Sequence, residues 1–279
     1  MRMRFSSALL VLLALVRGGA AAPQELARVE TPQHLGFIFS PGTCEQGPEF
    51  CALTHPRGWA PDEIALVRSA LDQIAANALG RQIIQRARQN GFHTLRRFEH
   101  AAEPNERGGY DATPMIVAKT HTDDERSIRT IDLTDRFFER VSVRDHFSGE
   151  PGYLLTTEIL AHELVHALDL GQRYSGTDEF RKVSRLGLTA DLQREADEVN
   201  VARMRLNAAG EYDASWQASR SFGVLRLRRL PSVHALDGYR EALAELIAHL
   251  VLDPNARRRT EPRVLRYFDT VVFEAPSRR

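Results

Sequence analysis

The chain has 279 residues and carries 37 Lys and Arg against 37 Asp and Glu, so its formal net charge at pH 7 is zero. This balance gives no electrostatic reason to expect a nucleic-acid or membrane-surface partner. The length is sufficient for one large domain or two small ones.

The first 22 residues have the pattern of a secretory signal. Arg2 and Arg4 precede an apolar run over 8–16, and small residues end the pattern just before Pro23. The apolar run is too short for a permanent membrane anchor. We therefore expect a cleaved signal peptide over 1–22 and a secreted or periplasmic protein without a stable membrane anchor.

Residues 23–60 are rich in Pro and Gly and show little periodicity, which predicts an extended N-terminal segment. The two cysteines of the chain, Cys44 and Cys51, both lie in this segment. In an oxidising compartment such a pair forms a disulfide. Closing so short a loop contributes about 2.5 kcal/mol in the chain-entropy model.

Two helices are predicted next. Pro61 suits a first helical turn, and apolar residues then recur at helical spacing to about Ala78. A second helix is predicted from Arg81 to Gln89, ending at the Asn90-Gly pair.

Short β-like stretches follow over 94–98, 114–119 and 127–133, and residues 137–143 have a helical pattern. Further along the chain, 190–208 and 236–252 read as long helices, and 264–273 as a final helix or a short strand. The order of helices, a few strands and then helices predicts an α+β fold.

The stretch LLTTEILAHELVHALDLG, residues 154–171, predicts one more helix. Thr156 or Thr157 can cap its start, and Gly171 is a natural stop. Apolar residues form a stripe along it.

This helix carries two histidines with the spacing of metal ligands. His162 and His166 are four residues apart, so they project from one face and can bind a single ion. Glu163 lies about 100° around the helix, where it can reach a water molecule beside that ion. This is the HExxH arrangement of zinc peptidases.

A catalytic zinc site needs a third protein ligand. In metzincins the motif continues to a glycine and a third histidine, but Asp169 and Gln172 occupy those places, so that class is excluded. Two downstream helical stretches supply candidate carboxylates: Glu195 and Glu198 on the first, Glu241 and Glu245 on the second.

Two segments, HELVHALD and HALDGYREALAEL, resemble the gluzincins of the anthrax lethal factor type. That family carries HExxHAxD and, further along, an aromatic residue followed by E-x-x-A-E; the match covers these segments alone. The resemblance implies a zincin-like domain over 61–279, with a small twisted sheet, an HExxH helix and a following helical subdomain. It also implies that Glu241 is the third zinc ligand.

The resemblance implies further roles. Glu245 and Asp169 would each hold a zinc ligand in place. The family has a tyrosine seven residues before the ligand glutamate, where it stabilises the oxyanion; this chain has His234, which can also donate a hydrogen bond. Tyr239 is the alternative donor.

These observations predict an exported zinc metalloendopeptidase acting on a peptide or protein. Zn²⁺ would be held by His162, His166 and Glu241, with Glu163 as the general base. A predicted strand beside the cleft would pair with the substrate.

Two alternatives remain open. One is an exported non-enzymatic domain whose structural zinc takes Glu195 or Glu198 as an additional ligand. The other is a secreted toxin or effector protease with one specific protein substrate. The sequence leaves the substrate and the oligomeric state undetermined.

Overall fold

The computed structural model describes residues 32–107, 109–113, 116–123, 128–145, 152–184, 186, 188–227 and 230–273. The predicted signal peptide over 1–22 lies outside these residues, as do Pro114, Met115 and Ser127 of the predicted strands. None of the described helices is long and apolar enough to cross a membrane.

The described residues contain a five-stranded sheet and a separate hairpin. The strands are β1 (Gln33–His34), β2 (Phe37–Pro41), β3 (Thr94–Arg97), β4 (Ala101–Pro104), β5 (Tyr110–Thr113), β6 (Ala118–Asp123) and β7 (Ile128–Leu133). The sheet order is β1-β2-β3-β7-β6, and β4 pairs with β5. β2, β3 and β7 are parallel, whereas β1 and β6 are antiparallel strands at the two edges.

Helices make up most of the remaining described chain. They are α1 (Pro48–Thr54), α2 (Pro61–Ala76), α3 (Ala78–Gln89), α4 (Asp135–Phe138), α5 (Leu155–Gln172), α6 (Asp178–Ser184), α7 (Ala190–Ala208), α8 (Tyr212–Phe222), α9 (Tyr239–Leu252), α10 (Ala256–Arg259) and α11 (Pro262–Tyr267). A mostly helical chain with a small mixed sheet is the predicted α+β class.

α5 is the central helix of the fold. It packs against α2 and α3, against α9, and against the edge strand β6. Leu160, Leu164 and Leu168 are buried in the main core, and each side chain contributes about 1.5–3 kcal/mol through removal from water. Because neighbours enclose α5 on several sides, its histidine-bearing face is fixed relative to both β6 and α9.

Most of the long predicted helices agree closely with the observed ones, although α9 starts at Tyr239, three residues after the predicted start. α2 ends two residues before the predicted end, α3 starts three residues early, and α7 has the predicted bounds. The final stretch, open between helix and strand, is helical: α11 continues into a π-helical turn at Phe268–Val272.

The N-terminal segment differs from its prediction. Cys44 and Cys51 form the expected disulfide, with Cα atoms 5.0 Å apart. However, its described part is not simply extended, because β2 enters the central sheet and α1 follows it. Phe37 and Phe39 are buried on one face of β2, an alternation that the surrounding Gly and Pro residues obscure.

Other boundaries also differ. The predicted strand over 114–119 begins only at Ala118 in the structure and extends to Asp123. The helical pattern predicted over 137–143 is a single turn that ends at Phe138. Neither Thr156 nor Thr157 caps α5, since Leu154 is the N-cap and both threonines are buried inside the first turn.

Candidate metal centre

The two histidines of the HExxH motif lie side by side on α5. Their ring centroids are 4.5 Å apart, and the rings are nearly perpendicular. His162 and His166 are both buried. The helix therefore presents two imidazole nitrogens to the same small volume, as the four-residue spacing predicts.

Glu241 reaches this volume from the first turn of α9. Its Oε2 atom is 3.0 Å from Nε2 of His162 and 3.2 Å from Nε2 of His166. A carboxylate in a first helical turn is favoured by the helix dipole. Within the described ranges, these three residues form the one group of His, Cys, Asp and Glu side chains whose ligand atoms all lie within 4.8 Å of one another, and they could bind a metal ion.

The spacing of these atoms fits a tetrahedral ion. Ligand bonds of about 2.0–2.1 Å in tetrahedral geometry place neighbouring ligand atoms about 3.4 Å apart. The distances from Glu241 Oε2 to the two imidazole nitrogens, 3.0 and 3.2 Å, are close to this value. Two imidazoles and one carboxylate leave one tetrahedral position for a molecule other than the protein.

The electrostatics of the cluster favour a positive charge at its centre. Burial favours the neutral form of Glu241, but hydrogen bonds from His162, His166 and His234 outweigh it and hold the pKa of Glu241 far below its ordinary range. Burial also opposes protonation of His162, yet its hydrogen bonds to Glu241 and Glu245 raise its pKa to about 10. Burial and the neighbouring His162 charge lower the pKa of His166. The carboxylate of Glu241 therefore favours a positive charge beside it, which a bound cation would supply.

Glu245 lies behind the first histidine, one turn further along α9 than Glu241. Its Oε1 atom is 3.5 Å from Nδ1 of His162, and its Oε2 accepts a 2.8 Å hydrogen bond from the Ser232 hydroxyl. Burial would raise the pKa of Glu245, but the His162 contact lowers it to about 2. An ionised carboxylate at Nδ1 orients the His162 ring so that Nε2 faces Glu241.

Asp169 makes no hydrogen bond to His166. Its carboxylate accepts hydrogen bonds from the Ser175 backbone N–H at 2.9 Å and from the Ser175 hydroxyl at 2.5 Å. His166 Nδ1 has no hydrogen-bond partner among the described residues. The chain turns back after α5 through the left-handed conformation of Arg173, and this turn brings Ser175 onto Asp169. The expectation that Asp169 holds a ligand is therefore wrong in this structure.

Glu163 is held by the edge strand of the sheet. Thr120 on β6 places its hydroxyl 2.7 Å from Oε2 and 2.8 Å from the backbone carbonyl oxygen of Glu163. The hydroxyl has one proton and donates it to one or other of these oxygens. This contact restrains the carboxylate beside the cluster.

His234 also borders the cluster. Its ring is nearly parallel to that of His162, with centroids 5.5 Å apart, and its Nε2 is 3.3 Å from Oε2 of Glu241. Nδ1 of His234 is 2.6 Å from Oδ2 of Asp237. Burial opposes protonation of His234, but the contacts with Asp237 and Glu241 raise its pKa to about 9.

The other candidate residues lie elsewhere. Tyr239 is 37% exposed, contacts the Arg181 guanidinium through its ring, and is absent from the lining of the cleft. Glu195 is paired with Arg226 at 2.5 Å, and Glu198 is exposed. The structure thus brings together His162, Glu163, His166, His234 and Glu241, and leaves Tyr239, Glu195 and Glu198 apart.

The cluster lies in a cleft of about 470 Å³. β6 forms one wall through Ala118, Lys119 and Thr120, while α5 and α9 contribute the cluster itself. Residues of α7 and α8 also line the cleft.

Sequence reasoning did not identify Thr120, Ser232 or Asp237. Asp237 follows His234 by three residues, and this spacing is a usable signal because such residues are neighbours in a helical turn. Thr120 is 43 residues from Glu163 along the chain, and no local pattern connects them.

Comparison with known proteins gives no identification: no family model, no curated protein and no solved structure matches the chain.

Proposed function

We propose that this protein is an exported zinc-dependent peptidase of the gluzincin type. The observation that supports the proposal most directly is the convergence of His162 and His166 with Glu241, which is 75 residues after His166 in the chain. The HExxH motif and the later E-x-x-A-E segment, in which the resemblance lies, contribute these residues.

The donor set favours zinc. His162 and His166 offer nitrogen and Glu241 offers oxygen, whereas Ca²⁺ and Mg²⁺ take oxygen ligands almost entirely. When bound, the ion would act as a Lewis acid that polarises the scissile carbonyl and makes a water molecule more acidic.

The chain's own residues supply the remaining chemistry. Glu163 accepts the proton of the attacking water and passes it to the departing amine, and Thr120 holds the carboxylate in position for both transfers. His234 donates from Nε2 to the oxyanion, because Asp237 accepts the Nδ1 proton and fixes the ring. A substrate strand pairs with the edge of β6 that no described strand occupies, since β6 is an edge strand whose residues line the cleft.

The proposal is tested by the metal content of the purified protein together with digestion of a broad peptide library. We expect about one zinc ion per chain, and cleavage that a chelator abolishes and added zinc restores. Absence of zinc contradicts the proposal. One tightly bound zinc without cleavage of any peptide supports the structural-site alternative, whereas cleavage restricted to one sequence supports a toxin or effector protease.

Replacement of His234 tests the oxyanion role. His234→Phe keeps an aromatic ring beside His162 but removes the donor, so we expect kcat to fall by about 10²–10³-fold with zinc content unchanged. Asp237→Asn should give a smaller fall, because it loosens the ring without removing Nε2. The matched control is His93→Phe, at an exposed histidine away from this cleft. Turnover of the His234 variant equal to wild type would remove His234 from the mechanism.

A further inference from the structure

The cleft extends along α5 beyond the metal cluster into a side pocket, which we define by Leu155, Glu158, Ile159, Tyr212 and Trp216. The four apolar and aromatic members belong to a small cluster with Val143, and Ile159 also packs against the main core. The fifth member is a carboxylic acid. The side pocket therefore has apolar walls and a single acidic group contributed by α5.

Glu158 is buried without a close hydrogen bond or ion pair among the described residues. The residue is 2% exposed, and neither carboxyl oxygen makes a hydrogen bond of ordinary length and angle with a described residue. Its polar neighbours are the Tyr153 hydroxyl, which donates towards the carboxylate, and Arg220, which acts on it through its charge. No cationic side chain of the described chain forms an ion pair with it. Arg220, whose charge lowers the pKa of Glu158, forms its ion pair with Asp145 at 3.0 Å and donates to the carbonyl oxygen of Pro231. A buried carboxyl group without partners costs free energy unless a ligand satisfies it.

The charges around Glu158 also affect its pKa. Burial raises the pKa of Glu158 to about 8, and the negative charges of Glu245 and Asp145 act in the same direction. Arg220 and the Tyr153 hydroxyl oppose the increase without cancelling it. A cation entering the side pocket would stabilise the ionised carboxylate and release its proton to solvent.

The position of Glu158 on α5 indicates the length of the ligand side chain that would reach it. Glu158 precedes His162 by four residues, which is one turn or about 6 Å along α5. The four-carbon stem of a lysine side chain spans a similar distance, and Leu155, Ile159 and Trp216 offer apolar surface to the stem. An ammonium or guanidinium group at its end would then reach the Glu158 carboxylate.

Arg140 and Arg203, two guanidinium groups that line the cleft, have contacts within the protein. Arg203 faces the negative charges of Glu245 and Asp237, and Arg140 lies 4.2 Å from the centre of the Tyr212 ring. Arg203 also donates to Oδ1 of Asn200 at 3.0 Å. Arg240, the third guanidinium group that lines the cleft, is exposed to solvent. Among the described acidic residues that line the cleft, Glu158 is the one whose carboxyl oxygens make no close hydrogen bond or ion pair.

We propose that the side pocket selects a lysine or arginine side chain of the substrate next to the scissile bond, with Glu158 as the specificity-determining residue. This inference rests on the proposed peptidase function, because it assigns a substrate class to the same cleft.

The test compares peptides that differ at one position and carry lysine, norleucine or glutamate there, in one series for each side of the scissile bond. Norleucine retains the stem of lysine without its charge. We expect wild-type kcat/KM to favour lysine over norleucine by about 10- to 100-fold on one side, and Glu158→Gln to reduce this ratio to about 1. The matched control is Glu103→Gln, at an exposed acid of the same cleft that is already paired with Lys119 at 3.1 Å, and it should keep the wild-type ratio.

The wild-type comparison decides the question even where the variant fails to fold. Equal use of lysine and norleucine, or a preference for glutamate, overturns the proposal, and so does a lysine preference that survives Glu158→Gln. Binding of the same labelled peptides to the Glu163→Gln protein is measured by fluorescence anisotropy. These affinities test the lysine preference independently of peptide cleavage. Absence of cleavage by the wild-type protein contradicts the proposed peptidase function. Tighter binding of the lysine peptide than of the norleucine and glutamate peptides would still support the role of the side pocket.

Discussion

Replacement of Glu163 by glutamine is expected to abolish peptide cleavage while leaving zinc in place. The amide has the shape of the carboxylate, and its oxygen can still accept the Thr120 hydrogen bond. It cannot take a proton from water, so kcat/KM should fall by about 10²–10⁴-fold. The ligand atoms of His162, His166 and Glu241 are unchanged, and metal content should therefore equal that of wild type.

The measurement combines steady-state cleavage of a peptide with zinc content on the same preparation. Glu179→Gln is a suitable control, because Glu179 is exposed on α6 and is not part of the cleft. Full activity in the Glu163 variant would show that another group is the base. Loss of zinc together with activity would instead show that Glu163 supports the metal site.

Replacement of Glu241 by alanine is expected to remove the metal. Its carboxylate lies within 3.2 Å of both imidazole nitrogens, so the variant retains two of the three proposed ligands. Loss of a residue behind a ligand costs about 10- to 100-fold in metal affinity, and loss of the ligand itself should exceed this. Activity should fall with zinc content.

Thermal unfolding with and without added zinc gives an independent measurement. An ion that binds only the folded state raises the wild-type Tm, and the increase should be absent in Glu241→Ala. The control is Glu198→Ala, at an exposed glutamate that is the competing candidate ligand. Zinc loss in the Glu198 variant with retention in the Glu241 variant would show that the ligand assignment is wrong.

The accuracy of the sequence-based predictions differs between elements for physical reasons. Helices such as α2 and α7 have long apolar periodicity or clear end signals, so their bounds were predicted to within a few residues. Strand β2 was missed, because its alternating pattern is short and is surrounded by turn-forming residues. The hairpin of β4 and β5 and helix α8 were missed as well. Their stability depends on packing against neighbours that are distant in the chain.

The sequence by itself determined the HExxH helix, the spacing of its histidines and a short set of acidic candidates, since these depend on periodicity along one element. Only the tertiary structure decided among those candidates, because α9 packs on α5 in a way that brings Glu241 to the histidines and leaves Glu195 and Glu198 outside. The same packing placed Thr120 against Glu163 and left Glu158 buried in the side pocket without a close hydrogen bond or ion pair among the described residues. Contacts between residues far apart in the chain arise when elements bury their apolar faces together, and that arrangement is not encoded in any local pattern.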